Sequence, residues 1–305
     1  MEKILTAVII TYNHQDTIKR TITSVLKQNT NYSFEIQIWD DCSTDNTSKI
    51  SAEFAEKYPD KIIHILQTKN TFYEPLNKWC FYKNYKNIKT KYFFVIEGDD
   101  YIIDNSFFQT GIDYMENNET CSIFGARTRF INEKEDKTID APEIDEDKIV
   151  TLDDVGTKRY LFPLIQSRIY RNTFTEFLSG DLPMYLYHLT TGYCKIINKV
   201  TSVYNFSGNG IFSELDKKIA DKLYEPTFYR LIQYYGYKYE KIWFRMLNRK
   251  NQKKIKFLSC LIGRKLAWKV WFFLYMVPTF GKASLDKYWN YTSYTRKIKG
   301  INKTP

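Results

Sequence analysis

Short apolar runs alternate with amphipathic stretches over the first hundred residues. Four of these runs have the length and composition of buried strands, at residues 5–10, 34–39, 61–66 and 93–96. Between the first two runs, the spacing of Ile18, Ile22 and Val25 predicts a helix, and the cap-rich segment 41–47 predicts the start of another that ends near Lys57. This strand–helix–strand–helix order predicts a parallel sheet with right-handed crossovers.

The pattern is less regular around and beyond the fourth run. A looser helical segment over 76–86 precedes that run. The downstream sequence predicts helices over 104–116 and from Asp181, strands around 122–126, 195–197 and 201–206, extended chain over 160–171, and an acidic surface insertion or flexible loop over 133–154.

Long helical patterns fill the chain after residue 215, at 215–235, 238–248 and 255–277. In the last of these, Trp and Phe alternate with Arg264, Lys265 and Lys269. Three cations in its middle argue against a membrane span, which needs about 20 apolar residues. A helix lying on a membrane surface and a helix packed on the protein body, with its cations reaching solvent, both fit.

Composition indicates a soluble globular protein, with 305 residues, 43% hydrophobic content and a mean hydropathy of -0.46. We divide the chain into a domain of residues 1–214, which carries the sheet pattern, and a helical, basic C-terminal region of residues 215–305. The N-terminus lacks the basic start and cleavage site of a signal peptide, and the five Cys are widely spaced without Cys-x-x-Cys. These features predict reduced thiols, no structural zinc and a cytoplasmic location.

The net charge of +10 is unevenly distributed along the chain. Residues 1–214 carry a net charge of -6, and residues 215–305 carry +16. A basic region of this kind suggests contact with an anionic surface, either a membrane or a nucleic acid. Because its cations are interleaved with Trp and Phe, without an aromatic nucleic-acid motif, we expect the inner face of the cell membrane to be the partner.

Three carboxylates crowd the end of the fourth apolar run, in the segment Glu97–Asp100, which we call the acidic turn. Negative charges this close repel one another unless a cation neutralises them. The second run likewise ends in two acids, Asp40 and Asp41. Because open α/β sheets bind ligands at the carboxyl ends of their strands, the two clusters together predict a divalent-metal site rather than a plain surface turn.

Four short motifs now identify a resemblance to a known enzyme family. They are Val8 to Asn13, Trp39 to Thr47, Glu97 to Tyr101, and Gly180 to Pro183. Through them, roughly residues 4–212 resemble the family 2 glycosyltransferases, which are inverting enzymes that use nucleotide sugars. The resemblance implies an α/β fold of the GT-A type, with a mostly parallel central sheet flanked by helices. It implies transfer of a sugar from a nucleotide donor, expected to be a UDP-sugar, to a glycan or lipid-linked glycan in surface polysaccharide or lipooligosaccharide synthesis.

The resemblance also implies which residues would bind the nucleotide. The loop after the first strand and the glycine of the acidic turn would line the pocket, through Thr11, Tyr12, Asn13 and Gly98. Asp41 would accept a hydrogen bond from the N3–H of a uracil base. Glu97 would contact the ribose or a metal-bound water.

The metal and the catalytic base follow from the same resemblance. Asp99 would hold Mn²⁺ or Mg²⁺, with Asp100 as the second candidate ligand. Asp181 would be the general base that deprotonates the acceptor hydroxyl, although an Asp in Gly-Asp-x-Pro also suits a helix N-cap.

One part of the family pattern is missing from this chain. Relatives with the Glu-Gly-Asp-Asp-Tyr variant usually carry Tyr-Arg-x-His after the last core strand, whereas residues 204–207 read Tyr-Asn-Phe-Ser. Those basic residues would help to hold the metal or the diphosphate, so another cation would have to replace them. The candidates are Lys78, Arg168 and Arg171, and further Arg127 and Arg129.

Three alternative functions can be compared with the transferase. The missing basic residues are compatible with a catalytically impaired, transferase-like protein. A basic nucleic-acid-binding protein would show salt-dependent affinity for polynucleotides and would not need the carboxylates. A nicotinamide-dependent dehydrogenase needs Gly-x-Gly-x-x-Gly after its first strand, where this chain has Thr-Tyr-Asn-His at residues 11–14. The metal-dependent glycosyltransferase therefore fits the sequence best.

Overall fold

The computed structural model describes residues 2–71, 84–132, 137–157, 161–173, 181–205, 238–247, 249–271 and 274. These residues belong to two compact units. The first contains the described residues up to 152 together with 161–205. The second contains residues 153–157 and the described residues from 238 onwards.

Ten strands of the described chain form one sheet in the first unit. They are β1 Leu5–Thr11, β2 Phe34–Asp40, β3 Ile62–Leu66, β4 Tyr92–Glu97, β5 Tyr101–Ile102, β6 Cys121–Asn132, β7 Lys137–Ala141, β8 Lys148–Val150, β9 Arg168–Arg171 and β10 Tyr193–Asn205. The strand order is β3-β2-β1-β4-β9-β6-β10-β5, with β7 paired to β6 and β8 paired to β10. The first four strands in this order pair in parallel, as do β6 and β10, whereas β5, β7, β8 and β9 pair antiparallel.

Helices cover this sheet and make up most of the described second unit. They are α1 Ile18–Leu26, α2 Thr47–Lys57, α3 Phe107–Glu116, α4 Asp181–Thr191, α5 Glu240–Met246 and α6 Arg249–Ile262. Short 3₁₀ turns lie at Leu152–Asp154 and Ile165–Ser167, and residues 264–271 are also helical.

The core of the first unit follows directly from the apolar pattern. Ile18, Ile22 and Val25 are completely buried, as their four- and three-residue spacing predicts for one face of α1. The first five residues of β4 are buried on both faces. Phe94 and Phe108 pack edge to face with ring centroids 5.1 Å apart. Burying each large apolar side chain of this kind contributes about 1.5–3 kcal/mol. The buried positions are those that the apolar pattern predicts, so the predicted α/β core is confirmed.

The acidic stretch 133–154 differs from the predicted insertion or loop. It contains β7 and β8, which extend the sheet by pairing antiparallel with β6 and β10. A polar strand on an existing sheet edge needs no apolar run, because its stability comes from ladder hydrogen bonds and cross-strand pairs. One such pair is Arg129 with Asp140, whose Nε and Oδ1 atoms are 2.9 Å apart.

Two other sequence predictions differ in detail from the structure. The strands predicted at 195–197 and 201–206 form one continuous strand, β10, with register shifts around Ile197 and Val200 that mark bulges. The predicted strand at 122–126 extends to Asn132. Most of the predicted helix at 76–86 lies outside the described residues.

The second unit has a small aromatic core of its own. Trp243, Trp268 and Trp271 are buried, and the indole Nε1 of Trp268 donates to Glu240 Oε1 at 2.8 Å. These Trp side chains therefore pack inside the unit instead of facing outward. Within the described ranges, no helix is both long and apolar enough to cross a membrane. The remaining predicted helical segments of residues 215–305 lie outside the described residues.

Candidate active site

The strand register brings both acid clusters to one edge of the sheet. In the parallel pairs, Ile10 of β1 lies opposite Glu97 of β4, and Thr11 lies opposite Asp40 of β2. The acidic turn and the loop after β2 therefore leave the same edge of the sheet, one on each side of the loop after β1. This is the arrangement that the alternation of strands and helices predicted.

The acidic turn brings three carboxylates together. Oxygen atoms of Glu97, Asp99 and Asp100 lie within 4.8 Å of one another. Asp100 is almost fully buried, Asp99 is partly buried, and Glu97 is accessible to solvent. Among the described residues, Asp99 Oδ1 and Asp100 Oδ2 are buried without a hydrogen-bond partner. Because oxygen ligands of this kind suit a hard divalent cation, the residues present fit Mg²⁺ or Mn²⁺.

The electrostatics of the acidic turn point the same way. Burial, and then the negative charges of Asp99 and Glu97, raise the pKa of Asp100 well above its usual range. Desolvation, followed by the charges of Asp99 and Asp181, raises the pKa of Glu97 to about 7. A bound cation would relieve this repulsion by favouring the ionised carboxylates.

Gly98 allows the acidic turn to approach the loop after β1. Its N–H donates to the carbonyl of Ile10 at 2.8 Å. A Cβ atom at this position would lie 2.5 Å from His14 Nδ1 and 2.6 Å from Thr11 Oγ1, which is too close for any side chain. Glycine is therefore required by close approach of the two segments, as the predicted nucleotide-pocket role of Gly98 would need.

The loops after β1 and β2 are joined by several hydrogen bonds. Asn13 N–H donates to Ser43 Oγ at 3.0 Å, and Thr44 N–H donates to Asn13 Oδ1 at 2.8 Å. Asn13 adopts a left-handed conformation with φ of 56°, which asparagine tolerates better than most residues. Tyr12 is 42% exposed, whereas the Thr11 side chain is buried beside His14. Of the three predicted pocket residues on this loop, Tyr12 and Asn13 are exposed to solvent.

Asp40, which the sequence placed in the second acid cluster, has its carboxylate inside the first unit and outside the group of carboxylates that could hold a metal. It is completely buried, and its Oδ1 accepts from Ser43 N–H at 2.8 Å and from Ser43 Oγ at 2.7 Å. Its Oδ2 accepts from Ser48 and lies 3.7 Å from His64 Nε2. Burial alone would raise the pKa of Asp40, but the neighbouring His64 side chain and the hydrogen bonds from Ser43 and Ser48 outweigh it and hold the pKa below its usual value. Asp40 therefore anchors the loop that carries Asp41.

The carboxylate of Asp41 is buried and already partly engaged. Thr71 donates its N–H to the two carboxylate oxygens at 2.9 and 3.0 Å, and its hydroxyl to Oδ1 at 2.7 Å. A carboxylate accepts about four hydrogen bonds. Asp41 can therefore accept from a ligand only along the remaining lone-pair direction, which restricts how a base could approach.

Asp181 is the first residue of α4 and pairs with a buried arginine. Arg168 Nη2 donates to Asp181 Oδ1, and the Arg168 side chain is completely inaccessible to solvent. Desolvation raises the pKa of Asp181 above its usual value, while the charge and hydrogen bond of Arg168 oppose that rise. Asp181 also raises the pKa of Glu97, so the electrostatic influence of α4 reaches the acidic turn.

The candidate cations have different surroundings. Arg171 donates to the carbonyls of Cys121, Met115 and Asn118 and so has a structural role. Arg127 donates to the carbonyl of Pro142 and to Asn198, and Arg129 pairs with Asp140. Lys78 lies outside the described residues. Among the candidates that the structure describes, Arg168 alone is connected to the predicted site, through Asp181.

A further cation, Arg20, lies beside the acidic turn and could not be predicted from the sequence. Arg20 is exposed on α1, donates from Nη2 to the carbonyl of Asp99 at 3.2 Å, and lies 4.1 Å from the centre of the Tyr101 ring. The backbone N–H of Asn205, at the position where the family pattern expects Arg, donates to Asp100 Oδ1 at 3.1 Å. No periodicity or motif links Arg20 to the acidic turn, so only the fold could reveal it.

A sheet of this topology, with an acidic turn at the end of β4, defines a GT-A type α/β protein. The sequence model for Glycosyl transferase family 2 matches residues 6–179, and the chain belongs to this family. Proteins of Mycobacterium tuberculosis and Mycobacterium bovis that are described as uncharacterized are 23% identical over 218 residues. That match covers 68% of this chain, which spans only 60% of the length of those relatives.

Two solved structures resemble this fold. The crystal structure of S. aureus TarS 1-349 in complex with UDP-GlcNAc superposes with a TM-score of 0.59 and 17% identity, over 90% of this chain and 81% of the other. The mannosyltransferase PcManGT from Pyrobaculum calidifontis, in complex with GDP-Man and Mn²⁺, gives a TM-score of 0.54 and 11% identity, over 100% of this chain and 89% of the other. The predicted GT-A fold is thus confirmed.

Proposed function

We propose that this chain is a metal-dependent, inverting glycosyltransferase that moves a sugar from a UDP-sugar to a hydroxyl of a glycan or lipid-linked glycan. The observation that carries the proposal is the convergence of carboxylates at the sheet edge. Oxygen atoms of Glu97, Asp99 and Asp100 lie within 4.8 Å of one another, and Asp181 acts electrostatically on Glu97. Membership of Glycosyl transferase family 2 supports the same function.

The residues support a displacement at the anomeric carbon of the donor sugar. Asp181 takes the proton of the acceptor hydroxyl while that oxygen bonds to the anomeric carbon. The bond from this carbon to the diphosphate oxygen breaks on the opposite face, and its electron pair leaves with the nucleoside diphosphate. A divalent cation held by Asp99 and Asp100 would stabilise the negative charge that develops there. Desolvation makes Asp181 a stronger base, and Arg168 keeps it ionised and oriented.

The nucleotide would lie over the two joined loops. Tyr12 and Asn13 offer exposed side chains to the base or ribose, and Asp41 offers an acceptor for the N3–H of uracil. Glu97 would contact the ribose or a metal-bound water. The similar structures hold UDP-GlcNAc in one case and GDP-Man in the other, so a donor screen must contain both nucleotide classes.

The function is tested by a donor screen with the full chain. Several UDP- and GDP-sugars are incubated with Mn²⁺, and release of the nucleoside diphosphate is measured for the wild type and for Asp99→Ala and Asp181→Ala. We expect hydrolysis of a UDP-sugar and a loss of about 100-fold or more in each variant. Asp60→Ala changes an exposed acid elsewhere on the first unit and should retain full activity. Activity that survives in both site variants contradicts the assignment, and a folded wild type that hydrolyses no donor favours the impaired transferase.

We further propose that the basic C-terminal region docks on the anionic inner face of the membrane, where a lipid-linked acceptor would be met. On α6, Phe257 and Leu261 are four residues apart and 66% and 65% exposed. Lys253 precedes Phe257 by one turn on α6, and Lys265 follows shortly after the end of α6 at Ile262. Residues 241–285 contain 11 Lys+Arg and no Asp or Glu. Apolar side chains flanked by cations suit an interfacial surface, where each cation contributes about 1 kcal/mol.

Vesicle binding tests this surface. The full chain is sedimented with phosphatidylglycerol-containing vesicles and with pure phosphatidylcholine vesicles, and Phe257→Glu and Leu261→Glu are compared with Ile139→Glu. Ile139 is 62% exposed on β7 in the first unit, so it is a matched control. We expect binding to anionic vesicles only, with loss in the two α6 variants. Unchanged binding in those variants, or displacement from vesicles by a polynucleotide, contradicts membrane docking.

A further inference from the structure

One edge of α1 carries polar side chains that bind the backbone of the acidic turn and of the residues after it. Thr17, Thr21, Ser24 and Gln28 follow one another at spacings of four, three and four residues, from the residue before the helix to just beyond its end. This spacing places them in one row along the helix. The adjacent row of α1 is apolar and lies in the core, so the helix buries an apolar row and a polar row side by side.

The contacts follow the chain step by step. Thr17 and Thr21 each donate from Oγ1 to the carbonyl of Gly98 at 2.9 Å. Thr21 Oγ1 also lies 2.6 Å from the carbonyl of Asp100, so its single proton is shared between two carbonyl oxygens. Beyond the turn, Ser24 Oγ accepts from Ile102 N–H at 3.1 Å. Gln28 Nε2 donates to the carbonyl of Asp104 at 2.9 Å.

These contacts oppose the repulsion inside the acidic turn. Oxygen atoms of the three carboxylates lie within 4.8 Å of one another, and negative charges this close favour separation. The carbonyls of Gly98 and Asp100 flank Asp99 on both sides, and both are held by the completely buried hydroxyl of Thr21. A buried hydroxyl and two buried carbonyls are costly to leave unpaired, so the turn cannot open without losing these hydrogen bonds.

We propose that the row Thr17, Thr21, Ser24 and Gln28 acts as a clamp that presets the acidic turn for a divalent cation. Thr21 is its central positioning residue, because it alone holds the backbone on both sides of Asp99. This inference rests on the metal site of the proposed function. It assigns to α1 a part in metal affinity, although none of the four side chains is a metal ligand.

The test measures Mn²⁺ affinity of the full chain without donor or turnover, by titration of free Mn²⁺ with electron paramagnetic resonance. Thr21→Val keeps the shape and removes the hydroxyl, and we expect it to weaken binding about tenfold. Thr21→Ser restores the hydroxyl and should restore affinity. Thr23→Val is the matched control, since the Thr23 hydroxyl donates only to the carbonyl of Lys19 within the same helix. In the donor assay, saturating Mn²⁺ should rescue Thr21→Val but not Asp99→Ala.

The outcomes separate the clamp from the metal site itself. A wild type that binds no Mn²⁺ overturns the proposed metal site and the clamp together. A wild type that binds Mn²⁺, with Thr21→Val equal to it, overturns the clamp alone. Should Thr21→Val fail to fold, Thr17→Val takes its place, because Thr17 is only partly buried and contacts Gly98 alone within the acidic turn. Wild-type affinity in a folded Thr17→Val would then overturn the clamp, and a weakened affinity would support it.

Discussion

Asp181 forms an ion pair with Arg168, a residue whose side chain is completely buried. The guanidinium lies 4.6 Å from the ring centre of Phe162 and 5.2 Å from that of Tyr185. Aromatic faces attract a cation, so this environment offsets part of the cost of burying the charge. The pair therefore fixes one oxygen of Asp181 and leaves the other to receive a proton.

Replacing Arg168 should change the pH dependence of the reaction. Arg168 opposes the desolvation that raises the pKa of Asp181, so Arg168→Met should let that pKa rise. A base with a higher pKa is protonated up to a higher pH, and the acid limb of the kcat profile should move upward by about 1 to 3 pH units. The measurement is kcat against pH with saturating donor and acceptor.

The control for Arg168→Met is Arg129→Gln, which breaks the more exposed ion pair with Asp140. It should leave the acid limb in place. Thermal unfolding of both variants shows whether they are folded. An unchanged acid limb in folded Arg168→Met would contradict the role of Asp181 as the group that titrates.

The elements that the sequence predicted well are those whose signal is local. The apolar runs and the spacing of Ile18, Ile22 and Val25 gave β1 to β4 and α1, because burial on a sheet or helix face imposes its period on the sequence. The common edge of the two acid clusters followed from parallel pairing. The strands β7 and β8 were not predicted because they have only five and three residues, so their stability depends on the neighbouring strands, which are far away in sequence.

The parts of the site that escaped prediction are contacts between distant segments. Arg168 was one of several candidate cations, and only the fold connects it to Asp181. Asp40 looked equivalent to Asp41, yet it faces inward toward His64 and Ser48 and holds the loop in place. A single sequence contains no period or spacing that tells which of two adjacent acids at the end of a strand anchors the loop.

Asp40→Asn should destabilise the first unit in a pH-dependent way. The carboxylate accepts charge-assisted hydrogen bonds from Ser43 and Ser48, and its pKa is lowered in the folded state. A lowered folded pKa means that the stabilisation is present above the unfolded pKa, about 3.9, and is lost as the pH falls through the folded value. We expect a loss of about 2 to 4 kcal/mol at pH 7.

Urea denaturation at a series of pH values measures this effect. The difference between wild type and Asp40→Asn should shrink as the pH falls below about 4. Glu53→Gln, an exposed change on α2, should stay within about 0.5 kcal/mol of the wild type at every pH. A constant difference down to acid pH would show that the charge of Asp40 is not what stabilises the loop.

Gly98→Ala should weaken donor binding by pushing two segments apart. The added methyl group would meet His14 Nδ1 at 2.5 Å and Thr11 Oγ1 at 2.6 Å, so the loop after β1 has to move. Overpacking of this kind costs about 1 to 3 kcal/mol. We expect a raised KM for the donor, measured by nucleotide release. The double variant with His14→Ala removes one clash and should recover part of the affinity, and an unaltered KM in Gly98→Ala would contradict the close approach.

Asp100→Asn should stabilise the metal-free protein and abolish its response to Mn²⁺. Asp100 is 1% exposed, and burial together with the charges of Asp99 and Glu97 raises its pKa, so its ionised form is unfavourable in the folded state. Asparagine removes that charge and keeps an acceptor for the N–H of Asn205. We expect a gain of about 1 to 2 kcal/mol without metal. Wild type should gain about 2.7 kcal/mol from Mn²⁺ at 100 times its Kd, and the variant should gain almost nothing.

Urea denaturation with and without Mn²⁺ measures both quantities, and Asp60→Asn is the exposed control. The contrary result is a variant that is less stable than wild type without metal and is still stabilised by Mn²⁺. It would show that Asp100 supports the fold instead of the cation, because removing a carboxylate charge that only suffers repulsion cannot lower stability.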